Sequence, residues 1–148
     1  MEERRIQTLE ELHQIAGEVL TALVPPKGAT VLALKGDLGA GKTAFVKALA
    51  KHVGITQEIT SPTFVIMKSY EIPSHAFLKT LVHIDAYRIE SDDEMRVLKF
   101  GEILSDQSNL VCNEWPEKIQ NLIPHHTMVI EFTLNQDGTR DLTYKKEE

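Results

Sequence analysis

Cysteine, long apolar runs and clustered basic residues are all scarce in this sequence, and each scarcity excludes a class of protein. The single cysteine, Cys112, can form neither an internal disulfide nor a cysteine-rich metal site, which fits a reducing compartment. Because no apolar stretch is long enough for a signal peptide or a membrane span, we expect a cytoplasmic chain with no membrane association. The 16 lysines and arginines are scattered along a chain of net charge -6, so any role near RNA should be indirect.

The remaining composition is that of an ordinary globular protein. Hydrophobic residues make up 42% and charged residues 26% of the 148 positions, which argues against disorder and low complexity. A chain of this length normally forms one domain around one core. Residues 1–148 are therefore predicted to fold as a single domain.

Helices and strands are predicted to alternate along the chain. One helix should begin at the capping box around Thr8 and end before Pro25, a second should run over residues 44–53, and a third should run from Ser91 to about residue 104. Strands are predicted at residues 30–34, 64–72, 81–86, 109–113, 127–134 and 139–144. This order predicts an α/β fold with a mainly parallel central sheet, flanked by helices, to which an antiparallel C-terminal hairpin adds edge strands.

The segment 36–43 reads G-D-L-G-A-G-K-T and matches the P-loop pattern at every specified position, between a predicted strand and a predicted helix. Glycine, above all at Gly39 and Gly41, lets backbone N–H groups turn inward around phosphates, and the helix N-terminus favours an anion. Lys42 should reach the β- and γ-phosphates of ATP, and the Thr43 hydroxyl should bind Mg²⁺. The alternative is a glycine turn followed by an accidental Lys-Thr. The predicted nucleotide-binding residues are Asp37, Leu38, Gly39, Ala40, Gly41, Lys42, Thr43 and Ala44.

Two acids, Asp85 and Glu114, each end an apolar run that is predicted to be a strand. Ligands bind beyond the carboxyl ends of parallel strands, so both acids should lie near the phosphates, where Mg²⁺ and the attacking water need oxygen ligands. Alternatively, one acid caps a loop or pairs with Arg88 or Lys118. His83 is interpreted as a structural histidine that is hydrogen bonded.

The segment Thr60, Ser61, Pro62 and Thr63 follows the P-loop helix. In other P-loop proteins a segment at this place senses the γ-phosphate through its hydroxyls. A proline-containing entry to a strand explains the same residues equally well, so both interpretations stay open here.

Together these motifs resemble the bacterial TsaE (YjeE-type) family of P-loop ATPases, which supports threonylcarbamoyladenosine formation in tRNA. The resemblance spans most of the chain and rests on four motifs in the family's order: G-D-L-G-A-G-K-T at 36–43, T-S-P-T-F at 60–64, H-I-D-A-Y-R at 83–88 and N-E-W-P-E-K at 113–118. Asn113 departs from the family, which usually has an apolar residue there.

The resemblance implies a P-loop NTPase-like fold, weak ATPase activity with Mg²⁺, and a complex with the TsaB and TsaD proteins in which hydrolysis resets TsaD between turnovers. By that likeness Thr43 and Glu114 are the Mg²⁺ ligands, Asp85 lies near the metal or water, and residues 60–63 form a switch-type loop. With Lys42, these two acids are the expected catalytic residues.

Three other functions share the same P-loop. A small-molecule kinase is the leading alternative, although only Arg88 and Arg96 lie between the P-loop and Arg140, fewer than the lid of such a kinase commonly carries. A GTPase is disfavoured because no Asn-Lys-x-Asp motif occurs. A binding module in which ATP only stabilises a docking surface is also consistent with the motifs.

Overall fold

The computed structural model describes residues 2–37 and 39–144. Seven strands are present: β1 (Glu2–Ile6), β2 (Thr30–Lys35), β3 (Met67–Glu71), β4 (Thr80–Asp85), β5 (Asn109–Glu114), β6 (Met128–Leu134) and β7 (Arg140–Tyr144). The helices are α1 (Leu9–Thr21), α2 (Lys42–His52), α3 (Asp92–Val97) and α4 (Phe100–Ser105), and a 3₁₀ segment covers Pro116–Leu122.

All seven strands form one sheet in the order β1-β7-β6-β2-β5-β4-β3. The central strands β6, β2, β5 and β4 are parallel, while β3, β7 and β1 pair antiparallel. The carboxyl ends of β2, β4 and β5 therefore meet at one edge of the sheet, the edge at which ligands bind in open α/β sheets. The predicted α/β fold with a parallel centre is confirmed.

Both faces of the central strands are covered, which explains why these strands are continuous apolar runs rather than alternating ones. On one face, Ile15 and Val19 of α1 and Leu49 of α2 pack over the sheet. On the other face, Met95 of α3 and Phe100 of α4 belong to a second apolar core with β4 and β5. The sheet is thus held rigidly between two layers and can fix the residues at its edge.

Helix α1 begins as predicted, because the Thr8 hydroxyl accepts a hydrogen bond from the Glu11 N–H at 3.2 Å. The third predicted helix is instead two short ones, α3 and α4. Lys99 breaks them apart with a left-handed backbone, φ 60°. Its side chain gives no helix-breaking signal of the kind that glycine or proline would give.

The predictions for the sheet need two corrections. The strand predicted at 64–72 begins only at Met67, because Pro62 and Ile66 close a turn just before it. Strand β1 was not predicted, since E-E-R-R-I is charged rather than apolar, a composition suited to the edge of a sheet. Because β1 pairs with β7, the edge strand at this end of the sheet is β1 and not a strand of the C-terminal hairpin.

Candidate functional site

The glycine loop between β2 and α2 adopts a conformation that only glycine takes readily. Gly39 has φ 81°, and Gly41, the N-cap of α2, has φ 114°. A Cβ built on Gly39 would have no neighbouring atom of the described residues within 4 Å, so the loop is open at this position. Leu38, predicted to bind nucleotide, lies outside the described residues.

The first turn of α2 presents backbone N–H groups that have no partner within the helix. Among residues 2–37 and 39–144, no side chain caps the helix, and its first turn carries no acidic residue. At α1, by contrast, the Thr8 side chain caps the helix. An uncapped helix end behind a glycine loop is a site for an anion such as a phosphate.

Lys42 is held against the loop itself. It is only 4% exposed, and its Nζ donates to the Gly36 carbonyl oxygen at 2.5 Å while lying 3.6 Å from the centre of the Trp115 ring. Burial lowers the pKa of Lys42, and the nearby Glu114 carboxylate opposes that shift. The ammonium group of Lys42 therefore lies beside the loop, within reach of any anion that binds there.

Thr43 and Glu114 meet directly although 71 positions separate them. The Thr43 hydroxyl donates to Glu114 Oε2 at 2.9 Å, and His83 Nε2 lies 2.5 Å from the same oxygen. Glu114 is 4% exposed and His83 is fully buried, so this carboxylate is removed from water and depends on these two partners. His83 is hydrogen bonded, as interpreted from the sequence, but its contact with Glu114 was not foreseen.

Asp85 lies beside Glu114 because β4 and β5 pair these residues in register. Its Oδ2 accepts from the Thr63 hydroxyl at 2.9 Å, and its Oδ1 accepts from the Tyr87 N–H at 3.0 Å. Asp85 therefore caps its own loop and also holds the segment 60–63 at the site. Ser61 joins the same network, with its hydroxyl 2.7 Å from that of Thr63.

The alternative partners of the two acids are occupied elsewhere. Arg88 lies over the Phe64 ring at 4.5 Å, and Lys118 lies 6.0 Å from the Tyr87 ring. Within residues 2–37 and 39–144, neither forms an ion pair with Asp85 or Glu114. Both acids thus line the site, whereas their roles in catalysis stay predictions.

Two residues of the site were not among the site residues predicted from the sequence. Trp115, interpreted as a packing residue, does pack on Tyr87 with ring centres 5.0 Å apart, but it also covers Lys42. Arg140, at the start of β7, donates from Nη2 to the Gly39 carbonyl oxygen at 3.2 Å. Its approach depends on the pairing of distant strands, which no local spacing reveals.

Protein groups alone offer little to a metal ion here. In the described part of the chain, no three His, Cys, Asp or Glu side chains are grouped so that they could hold one. The Thr43 hydroxyl and the Glu114 carboxylate nevertheless suit Mg²⁺, which usually takes one or two protein oxygens and completes its shell with water and phosphate. Among the described helices none has the length and apolar character needed to cross a bilayer.

A buried parallel strand, a glycine loop, a helix with a Lys-Thr start, and an acid ending a neighbouring strand together define the chain as a P-loop NTPase-like protein. Comparison with known sequences gives the family. The sequence model described as threonylcarbamoyl adenosine biosynthesis protein TsaE matches residues 6–142. The chain therefore belongs to the TsaE family, whose role lies in tRNA threonylcarbamoyladenosine biosynthesis, and the resemblance drawn from the motifs is confirmed.

Individual relatives agree with this assignment. The TsaE protein of Treponema pallidum is 39% identical over 114 residues, which is 77% of this chain and 80% of that protein. The TsaE protein of Bacillus subtilis is 39% identical over 119 residues, covering 80% and 70% of the two chains. The crystal structure of Bacillus subtilis YdiB superposes with a TM-score of 0.72 at 30% identity, over 97% of this chain and 83% of that one.

Proposed function

We propose that this protein binds ATP with Mg²⁺ at the glycine loop, hydrolyses it, and does so in the cytoplasm as part of a complex with TsaB and TsaD that modifies tRNA. The observation that carries the proposal is the contact between the Thr43 hydroxyl and the Glu114 carboxylate, 2.9 Å apart at the start of α2. A hydroxyl and a carboxylate in contact beside an anion site are the protein ligands that Mg²⁺ uses in P-loop proteins.

The residues divide the work of binding between backbone and side chains. The N–H groups of the loop and of the first turn of α2 receive the phosphates. Lys42 leaves the Gly36 carbonyl and the Trp115 ring, and its ammonium group binds the β- and γ-phosphates. Thr43 and Glu114 would hold Mg²⁺, which would supply positive charge to offset the negative charge that develops during transfer.

The two acids have different neighbours and are assigned different tasks. Glu114, which is hydrogen bonded to His83, would hold the metal together with Thr43. Asp85 is bonded to the hydroxyl of Thr63, so a change in the segment 60–63 reaches the carboxylate that would orient the attacking water. The segment is therefore suited to act as the switch-type loop that the family resemblance implies.

Phosphate release by the purified chain, measured with TsaB and TsaD present, tests the proposal. We expect Lys42→Ala and Glu114→Ala to lower the rate by about 100-fold or more, because each removes a charged group from the phosphate site. Lys47→Ala is the matched control, since Lys47 is an exposed lysine of the same helix and should leave the rate unchanged. Equal rates in all four proteins would overturn the assignment of the site.

A small-molecule kinase would share the same phosphate site but would have no reason to associate with TsaB and TsaD. A pull-down with those two proteins, with and without ATP, separates the two functions. Retention of the chain that depends on ATP supports the proposed role in tRNA modification. No retention under either condition, combined with phosphate transfer to a small molecule, would favour the kinase.

A further inference from the structure

Arg140 lies at the same edge of the sheet as the glycine loop, although 97 positions separate it from Thr43. It is the first residue of β7, and it pairs with Leu134, the last residue of β6. Because β6 runs parallel to β2, the end of β6 and the end of β2 are on the same side of the sheet. The fold therefore brings an arginine from the C-terminal hairpin to the loop that follows β2.

The side chain of Arg140 runs along the loop. Its Nη2 donates to the Gly39 carbonyl oxygen at 3.2 Å, and its Cδ would lie 3.4 Å from a Cβ built on Gly41. Its Nε is buried and has no hydrogen-bond partner among the described residues. The guanidinium group is thus fixed in place with part of its donor capacity unused.

No carboxylate in the described residues neutralises this arginine. Arg4, Arg5 and Arg96 each form an ion pair, with Glu18, Asp141 and Asp93 respectively, whereas Arg140 forms none. A partly buried cation that lacks an acidic partner and lies against an anion-binding loop is suited to an anionic ligand. Arginine suits a phosphate in particular, because its planar fork can donate two parallel hydrogen bonds.

The sheet order tells which end of the ligand Arg140 would meet. Strand β5, with Glu114, lies on one side of β2, whereas β6 and β7 lie on the other. Glu114 and Thr43 form the proposed metal site, which marks the γ-phosphate end. Arg140 is therefore on the side opposite the proposed metal site, and the α-phosphate of a nucleotide in the loop would lie towards that side.

We propose that Arg140 is a nucleotide-binding residue that donates to the α-phosphate end of the nucleotide and so holds the nucleoside end of ATP on the loop. This inference rests on the proposed function, since it needs a nucleotide in the loop. It predicts a contact that does not sense the γ-phosphate, so ATP and ADP should both gain from it equally. The side chain also braces the loop through Gly39 O, and Arg140→Lys separates this role, because lysine keeps a donor for that carbonyl but loses the planar fork.

The test is isothermal calorimetry of ATP and of ADP, each with Mg²⁺, binding to four proteins: the unchanged chain, Arg140→Gln, Arg140→Lys and Arg5→Gln. We expect Arg140→Gln to weaken both nucleotides by about 10-fold and by the same factor, with Arg140→Lys between it and the unchanged chain. Arg5→Gln is the matched control, because Arg5 belongs to the neighbouring strand β1 but pairs with Asp141. Its affinities should stay unchanged.

The outcomes distinguish this inference from the function on which it rests. If the folded, unchanged chain binds neither nucleotide, the proposed function fails and this inference fails with it. If the unchanged chain binds both nucleotides and the Arg140 variants bind them equally well, only this inference is overturned. A loss confined to ATP would also overturn it, because Arg140 would then act at the γ-phosphate. Arg140→Lys keeps the comparison available if Arg140→Gln does not fold.

Discussion

Two consecutive residues of β5, Asn113 and Glu114, are both buried and both polar, but they lie on opposite faces of the sheet. Glu114 faces the site, where its Oε2 contacts the Thr43 hydroxyl and His83 Nε2. Asn113 faces the second apolar core, and neither its Oδ1 nor its Nδ2 has a hydrogen-bond partner among the described residues. The same strand therefore buries Glu114, which has hydrogen-bond partners, and its neighbour Asn113, which has none among the described residues.

The two residues show the difference between a buried polar side chain that contributes to the site and one that lowers the stability of the fold. A buried carboxylate is tolerable when donors replace the water that it has lost, and Glu114 has two such donors. A buried amide without partners keeps its full desolvation penalty, typically about 1–3 kcal/mol. Glu114 thus has a chemical reason for its burial, whereas nothing in the described structure explains the burial of Asn113.

The largest change in stability should come from removing a hydrogen-bond partner of Glu114. His83→Leu should lower the free energy of unfolding by about 2 kcal/mol, because the buried Glu114 carboxylate loses a hydrogen bond while leucine fills a similar volume. Urea denaturation followed by circular dichroism measures the change. In a Glu114→Leu background the same substitution should cost little, since the bond is already gone. An equal cost in both backgrounds would show that His83 stabilises by packing alone.

A smaller effect, of opposite sign, is expected on the other face. Asn113→Val should raise the free energy of unfolding by about 1 kcal/mol, because it replaces a buried amide that has no partner among the described residues with an apolar side chain. Thermal or urea denaturation measures it. Val111→Asn is the reverse control on the same strand and face, and it should destabilise the protein. Destabilisation by Asn113→Val would mean that the amide has a partner, such as a buried water.

The parts of the site that could be predicted from sequence are those set by local spacing. The P-loop pattern places Lys42 and Thr43 on consecutive positions at the start of a helix, and an apolar run ending in an acid places Glu114 at the edge of a parallel sheet. From these rules alone, residues 71 positions apart could be expected to meet, and Thr43 and Glu114 do.

The parts that could not be predicted depend on pairing between distant strands or on a single backbone angle. Arg140 reaches the loop only because β7 lies beside β6, and the charged β1 is a strand only because β7 offers it an edge. Lys99 and Trp115 adopt left-handed backbones that their residue types do not favour. Tertiary contacts that select such a backbone are invisible to propensity and periodicity.

The smallest effect is expected at a pair of polar side chains that water can reach, His13 and His52, in contrast to the buried Asn113 and Glu114. The rings stack with centres 3.8 Å apart between α1 and α2, and His52 Nε2 lies 2.6 Å from the His13 carbonyl oxygen. Burial, and then the nearby charge of His52 and Lys51, lowers the pKa of His13 below its ordinary value of 6.5. The unfolded chain therefore takes up the proton first as the pH falls, so stability present above about pH 6.5 is lost below it.

His13→Phe keeps a stacked ring but removes the titration. Between pH 7.5 and pH 5.5 the urea midpoint of the unchanged protein should fall more than that of His13→Phe, by an amount smaller than the Asn113 effect because the ring is partly exposed. His125→Gln, which removes an exposed imidazole, should leave the pH dependence as it is. If His13→Phe and the unchanged protein lost the same stability, the protonation of His13 would not be linked to folding. In that case the partial exposure of His13 would let water solvate its charged ring, so that charging it costs no stability. A fully buried polar group such as Asn113 has no such access to water.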